Sequence, residues 1–158
     1  MGIRSNLVDS FGSGVIVTGP GWLYLAPTYY AEQLYSRAAG SYPLQVERDS
    51  ALPWQLQQPD VSATLSADGR LLRIYAVNST PRQMTPAFAF LDSAAHAAGA
   101  TAFVVKNRDG KPDTEALNSA GDRLAVSIDS RTLPIGGSRF PVSLEPYSLT
   151  LVEVRLSE

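Results

Sequence analysis

The sequence predicts an all-β fold, an antiparallel β-sandwich of jelly-roll-like character with one amphipathic helix near the N-terminus. Three observations predict it. Beyond residue 42, short apolar runs are separated by turns rich in Pro, Gly, Asn and Asp, the pattern of sandwiches and jelly rolls. Asp68-Gly69 lies between two strand-like runs at 61–66 and 71–77, a strong hairpin signal. Residues 27–39 carry a helical period.

Taken in order, Val15-Ile16-Val17 is a short β-branched run, and Gly19-Pro20-Gly21 breaks it. Pro27, Tyr30, Ala31, Leu34, Tyr35 and Ala38 then recur at helical spacing and form one apolar stripe. Thr28, Glu32, Gln33, Ser36 and Arg37 lie mostly on the other side. Pro27 suits the first helical turn, where a missing N–H costs nothing. Gly40 suits the left-handed position just past the end. A stripe of this size must be buried, so the helix is expected to pack on the sandwich, or failing that on a second copy of the chain.

In the run 71–77, Leu72, Ile74 and Ala76 share one face, with Arg73 and Tyr75 opposite. Further strands are expected at 87–91, 101–106, 123–129, 140–144 and 148–156. In 123–129, Leu124, Val126 and Ile128 point one way and Arg123, Ser127 and Asp129 the other, as in a half-buried antiparallel strand. In the last run the apolar period slips near residue 151, which implies a β-bulge or burial on both faces. The Ala-rich segment 92–99 around His96 reads equally as a helical turn or a long loop.

Composition narrows the function classes. The chain has 158 residues, 44% hydrophobic and 18% charged, enough for a globular core. Its formal net charge is -2, which gives no basic face for nucleic acid or an anionic membrane. It has no cysteine, hence no disulfide, thiolate metal site or cysteine nucleophile. No apolar run approaches the roughly 20 residues of a membrane span. Residues 1–6 lack the apolar core of a signal peptide, which sets the expectation of a cytoplasmic protein. No motif for a cofactor or a metal is present.

Acid–base chemistry on glycosides needs two carboxyl groups facing one bond. Glu32 lies on the polar side of the helix, Glu47 and Asp49 sit near a strand end, and Glu153 alternates with apolar neighbours on a strand. Asp68, Asp109 and Asp113 occupy turns, where Asp is expected for its local hydrogen bonds. The single histidine, His96, has small neighbours and no second histidine. Asn78-Ser79-Thr80 fits a glycosylation sequon, a pattern short enough to arise by chance. Trp22, Tyr24 and Trp54 are candidates for stacking on sugar faces, with packing at a domain boundary or in the core as the alternative.

Two segments carry a resemblance. Pro20-Gly21-Trp22-Leu23-Tyr24-Leu25-Ala26-Pro27-Thr28-Tyr29-Tyr30 resembles the end of the catalytic barrel of the α-L-arabinofuranosidases of glycoside hydrolase family fifty-one. Phe140-Pro141-Val142-Ser143-Leu144-Glu145-Pro146-Tyr147-Ser148-Leu149-Thr150-Leu151 is similar to the last strands of the sandwich that follows it. Asn6-Leu7-Val8-Asp9, the run 71–78 ending in Asn78, and the stretch 114–127 with Asn118 resemble the family in the same order. Residues 79–113 match in character only.

The resemblance implies that residues 1–40 are the last strand and helix of a (β/α)8 barrel and residues 41–158 its C-terminal sandwich. It implies a parent enzyme that removes terminal α-L-arabinofuranosyl groups from arabinan or arabinoxylan, with both catalytic glutamates upstream of the matched segment. This chain alone is then not catalytic. Its partner is the barrel of the same enzyme, or a second copy. Tyr30, Leu34, Tyr35 and Ala38 would pack between domains. The family's first sandwich strand can come from the enzyme's N-terminus, so an edge or apolar strip is expected to stand open. A carbohydrate-binding module recognising hemicellulose is the alternative, and a free-standing hydrolase the third reading.

Overall fold

The computed structural model describes residues 7–8, 14–48, 58–92 and 94–157. Among them the elements run β1 (Ile16–Gly19), β2 (Trp22–Leu25), α1 (Pro27–Ser36), β3 (Tyr42–Leu44), β4 (Asp60–Leu65), β5 (Leu71–Asn78), β6 (Ala87–Ala89), β7 (Ala97–Asn107), β8 (Val126–Leu133), β9 (Arg139–Pro141) and β10 (Ser148–Leu156). Six strands form one antiparallel sheet in the order β3-β4-β5-β10-β7-β8. Two ribbons, β1-β2 and β6-β9, complete the set.

Alternation along the strands divides the side chains of the large sheet between two cores. On one face Leu72, Ile74, Ala76, Ala100, Val152 and Val154 pack with Phe140, Val142 and Leu144, and the β6-β9 ribbon closes over them with Phe88 and Phe90. On the other face Tyr75, Val105, Val126, Leu149 and Leu151 pack with Tyr30 and Leu34 of α1. The sheet is therefore covered on both sides, by a two-stranded ribbon and by a helix. This is an all-β sandwich in which one layer is much smaller than the other.

Burial on both faces explains the apolar slip in the last strand. β10 lies between β5 and β7, and residues 148–152 are all buried. The register irregularity falls later, between Arg155 and Leu156. Thr150 belongs to this strand, and its Oγ1 is buried without a hydrogen-bond partner.

Several elements differ from the sequence expectation. The helix ends at Ser36 and is followed by turns to Gly40, which adopts φ 74°. Gly19-Pro20-Gly21 does more than stop a strand. Gly19 pairs with Trp22 across Pro20 and Gly21, and Gly21 takes φ 76°, so the segment folds β1 onto β2 as a hairpin. The β4-β5 hairpin turns through residues 67–70 rather than through Asp68-Gly69 alone. Ser66 O accepts from Gly69 N–H, and Asp68 accepts from Ser66 Oγ and Arg70 N–H. The strand expected at 123–129 begins at Val126 and runs to Leu133, leaving Leu124 exposed. Its alternation continued upstream into a turn because Asp122 ends the strand with Asx-type bonds to Leu124 N–H and a bidentate pair with Arg108. The Ala-rich segment is neither a helix nor a long loop from Ala97 on, where β7 begins.

Candidate functional site

Three side-chain constellations hold the segments together. Asn78 ends β5 and is 1% exposed. Its Nδ2 donates to Arg82 O (2.7 Å) and Glu145 O (2.9 Å), while its Oδ1 accepts from Thr80 N–H and Oγ1. The sequon therefore has a structural use, with the amide nitrogen enclosed by carbonyls. Asn118 does the same at the start of β8. Its Nδ2 donates to Leu25 O and Val126 O (2.8 Å each), and its Oδ1 accepts from Val126 N–H (2.7 Å). One side chain thus ties the N-terminal hairpin to β8.

The third constellation joins the helix to the sheet. Tyr75 Oη donates to Leu34 O at 3.1 Å, satisfying a carbonyl near the helix end. The Tyr35 ring stacks on the Tyr75 ring at 4.7 Å. Arg37 lies 4.0 Å over the Phe103 ring and 3.5 Å from Glu153, which also accepts from Arg73 Nε at 3.1 Å. Arg73 in turn donates to Ser41 Oγ. Burial pushes the phenols of Tyr30, Tyr35 and Tyr75 above their ordinary value.

The carboxylates follow the same structural logic. Glu153 sits between two arginines. Asp109 and Asp113 accept from backbone N–H groups of Lys111 and Glu115. The Ser66 hydroxyl holds Asp68 below the usual carboxylate range, and the Lys111 N–H does so for Asp109. Among the described residues no group of three or more His, Cys, Asp or Glu is placed to hold a metal ion. No helix among them is long and apolar enough to cross a membrane.

The named aromatic and helical candidates are distributed unevenly. Trp22 and Tyr24 share one face of β2, half-buried, with rings stacked on each other at 5.8 Å. The Trp22 ring lies directly over Gly19, where a Cβ would come within 2.2 Å of it. Trp54 and Asp49 lie outside the described residues. Tyr30 and Leu34 are buried against the sheet, and Ala38 packs at the rim of the same core. Tyr35 is 46% exposed despite its stacking.

One concavity was not assigned to any residue by sequence. It is a cleft of 510 Å³ between the β6-β9 ribbon and the outer half of the large sheet. Val61, Ala63, Leu65 and Ile74 form its floor, with Phe88 and Phe140 on the ribbon side. Leu44 and Val46 continue the apolar strip outward and are 41% and 39% exposed. The ribbon pairs through Pro86 O, Phe88 and Phe90 N–H, so by alternation the Ala87 and Ala89 backbone groups face away from β9 toward the open side. The signal for this strip was the apolar face of 61–65, which has no equally long partner strand in the second sheet.

Comparison with known proteins places this geometry. The fold recurs in the thermostable GH51 α-L-arabinofuranosidase from Thermotoga petrophila RKU-1, with 24% identity and a TM-score of 0.69 over 94% of this chain and 32% of that one. The fold is that of solved arabinofuranosidases. The Thermotoga maritima α-L-arabinofuranosidase in its arabinose complex gives 23% identity and a TM-score of 0.70, over 96% of this chain and 33% of that one. The catalytic domain of GH30 xylanase C from Talaromyces cellulolyticus gives 14% identity and 0.65, over 95% and 29%. The chain thus spans about a third of the length of these structures. No protein-family model and no curated protein matches.

Proposed function

We propose that this chain is the accessory β-sandwich of a family fifty-one α-L-arabinofuranosidase. It buttresses a catalytic barrel, contributes to subunit contacts, and does not hydrolyse glycosides alone. The observation that carries this reading is the shared fold, which takes in nearly all of this chain and about a third of the Thermotoga enzymes. The resemblance of the Pro-Thr-Tyr-Tyr and Pro-Tyr-Ser-Leu-Thr segments to the same family supports it from the sequence side.

The open apolar cleft also supports it. The strip from Leu44 and Val46 to Phe88 is the area that one further strand, supplied by the parent enzyme, would cover. The N-terminal hairpin and α1 are packed into the sandwich core, and their outward face, with Leu23 and Tyr35, is the surface on which a barrel would sit. In this reading residues 1–40 remain the barrel-derived segment and 41–158 the sandwich proper.

The test is hydrolysis of an aryl α-L-arabinofuranoside by the folded chain alone. The expected rate equals that of buffer. Turnover that scales with chain concentration and disappears on unfolding would overturn the accessory reading and revive the free-standing hydrolase.

A further inference from the structure

We propose that the end of the large sheet beside Tyr147 is a binding site for a neutral, polyhydroxylated ligand of one or two sugar rings. A cavity of 340 Å³ opens there. That is at the lower end of the range of small-molecule sites, about 300–1,000 Å³, which suits one or two sugar rings. Its floor is apolar, formed by Val77, Val105 and Leu149, and its rim carries Asn107, Asp113 and Tyr147.

The rim chemistry selects the ligand class. Asn107 is half-buried, and no hydrogen bond occupies its amide among the described residues. The Tyr147 hydroxyl is in the same position. Asp113 commits one carboxylate oxygen to Glu115 N–H at 2.8 Å. An anion would meet the Asp113 carboxylate. Hydroxyl groups both donate and accept, so they satisfy the amide, carboxylate and phenol together. The C–H face of a sugar ring suits the apolar floor.

Backbone conformation at Tyr147 points the same way. Its φ is 44°, the left-handed region, and among the described non-glycine residues it is the one with positive φ. Its N–H is pinned to Thr80 O at 3.1 Å. Glycine would take this conformation without steric cost. A tyrosine held there against its preference implies a use for the ring. The site depends on these residues alone, whether or not the chain is part of an arabinofuranosidase.

The test is titration of the isotope-labelled full chain with L-arabinose, xylobiose and inorganic phosphate, read by backbone amide shifts. The expected result is saturable shifts at Ser79, Lys106, Asn107, Asp113 and Tyr147 with at least one sugar and none with phosphate. Tyr147→Gly relieves the backbone, so its melting temperature should hold or rise. Its sugar affinity should fall about three- to tenfold, the range for losing an aromatic contact. Asn107→Ala provides a second variant with the Tyr147 turn unchanged, and should also weaken binding. Absence of saturable shifts at these residues, shifts with phosphate alone, or undiminished affinity in both variants would overturn the proposal.

Discussion

Replacing Leu34 by Ala tests whether the N-terminal helix and the sheet share one core. Leu34 is fully buried, and its neighbours Tyr75, Val105, Leu149 and Leu151 come from three strands of the large sheet. The substitution removes three carbon atoms, worth about 2.4 kcal/mol at about 0.8 kcal/mol each. The Tyr75 hydroxyl bonds the Leu34 carbonyl, and the stacked Tyr35 and Tyr75 rings hold the wall in place. Collapse is therefore limited, and a residual cavity brings the expected loss to about 3 kcal/mol. For a chain of this size that is a fall in melting temperature of roughly 6–12 °C. Urea unfolding followed by circular dichroism measures it, with Gln33→Ala on the exposed side of the same helix as control, expected within about 0.5 kcal/mol. A loss below about 1 kcal/mol for Leu34→Ala, with an unchanged urea dependence, would refute the shared core.

Asn78→Ala leaves the Arg82 and Glu145 carbonyls without their donor, and should cost about 2–3 kcal/mol in the same urea assay. Thr150→Val removes a buried hydroxyl that has no partner and keeps the shape, so it should stabilise the fold by about 1 kcal/mol, visible as a raised melting temperature. Gly19→Ala places a Cβ inside the Trp22 ring and should displace it, measured as a change in near-ultraviolet dichroism and tryptophan emission. For Tyr30, Tyr35 and Tyr75 the folded-state phenol ionises above its unfolded value, so their contribution is complete below about pH 10 and is lost as pH rises beyond it. Urea midpoints on either side of that pH should show the fall, and the Tyr75→Phe variant should show a smaller one.

The parts of the fold set by local pattern were legible from the residues. The Pro27 start, the stripe through Tyr30 and Leu34, and the alternation of Leu72, Ile74 and Ala76 each depend on neighbours close in sequence. The slip at Leu151 was legible as either a β-bulge or burial on both faces, and the position of β10 between β5 and β7 decides for the second, because a central strand needs no polar side. What stayed hidden depends on contacts across the chain. Leu124 looked like a strand residue until the Asp122–Arg108 pair placed it in a turn. Asn78 and Asn118 read as a sequon and as a family feature, while their bonds to carbonyls of distant segments emerge only with the topology. The two concavities were not legible at all. The cleft exists because β6 and β9 are shorter than the sheet they cover, and the Tyr147 site because a turn after Pro146 meets the end of β7.

As proposed, this sandwich works with an arabinofuranosidase barrel. The most direct measurement is immunocapture of the chain from cells that produce it, followed by assay of aryl α-L-arabinofuranoside hydrolysis on the beads. Arabinofuranosidase activity is expected to be retained with the chain, as one polypeptide or as a tight complex. Quantitative capture of the chain with all such activity left in the flow-through would contradict it.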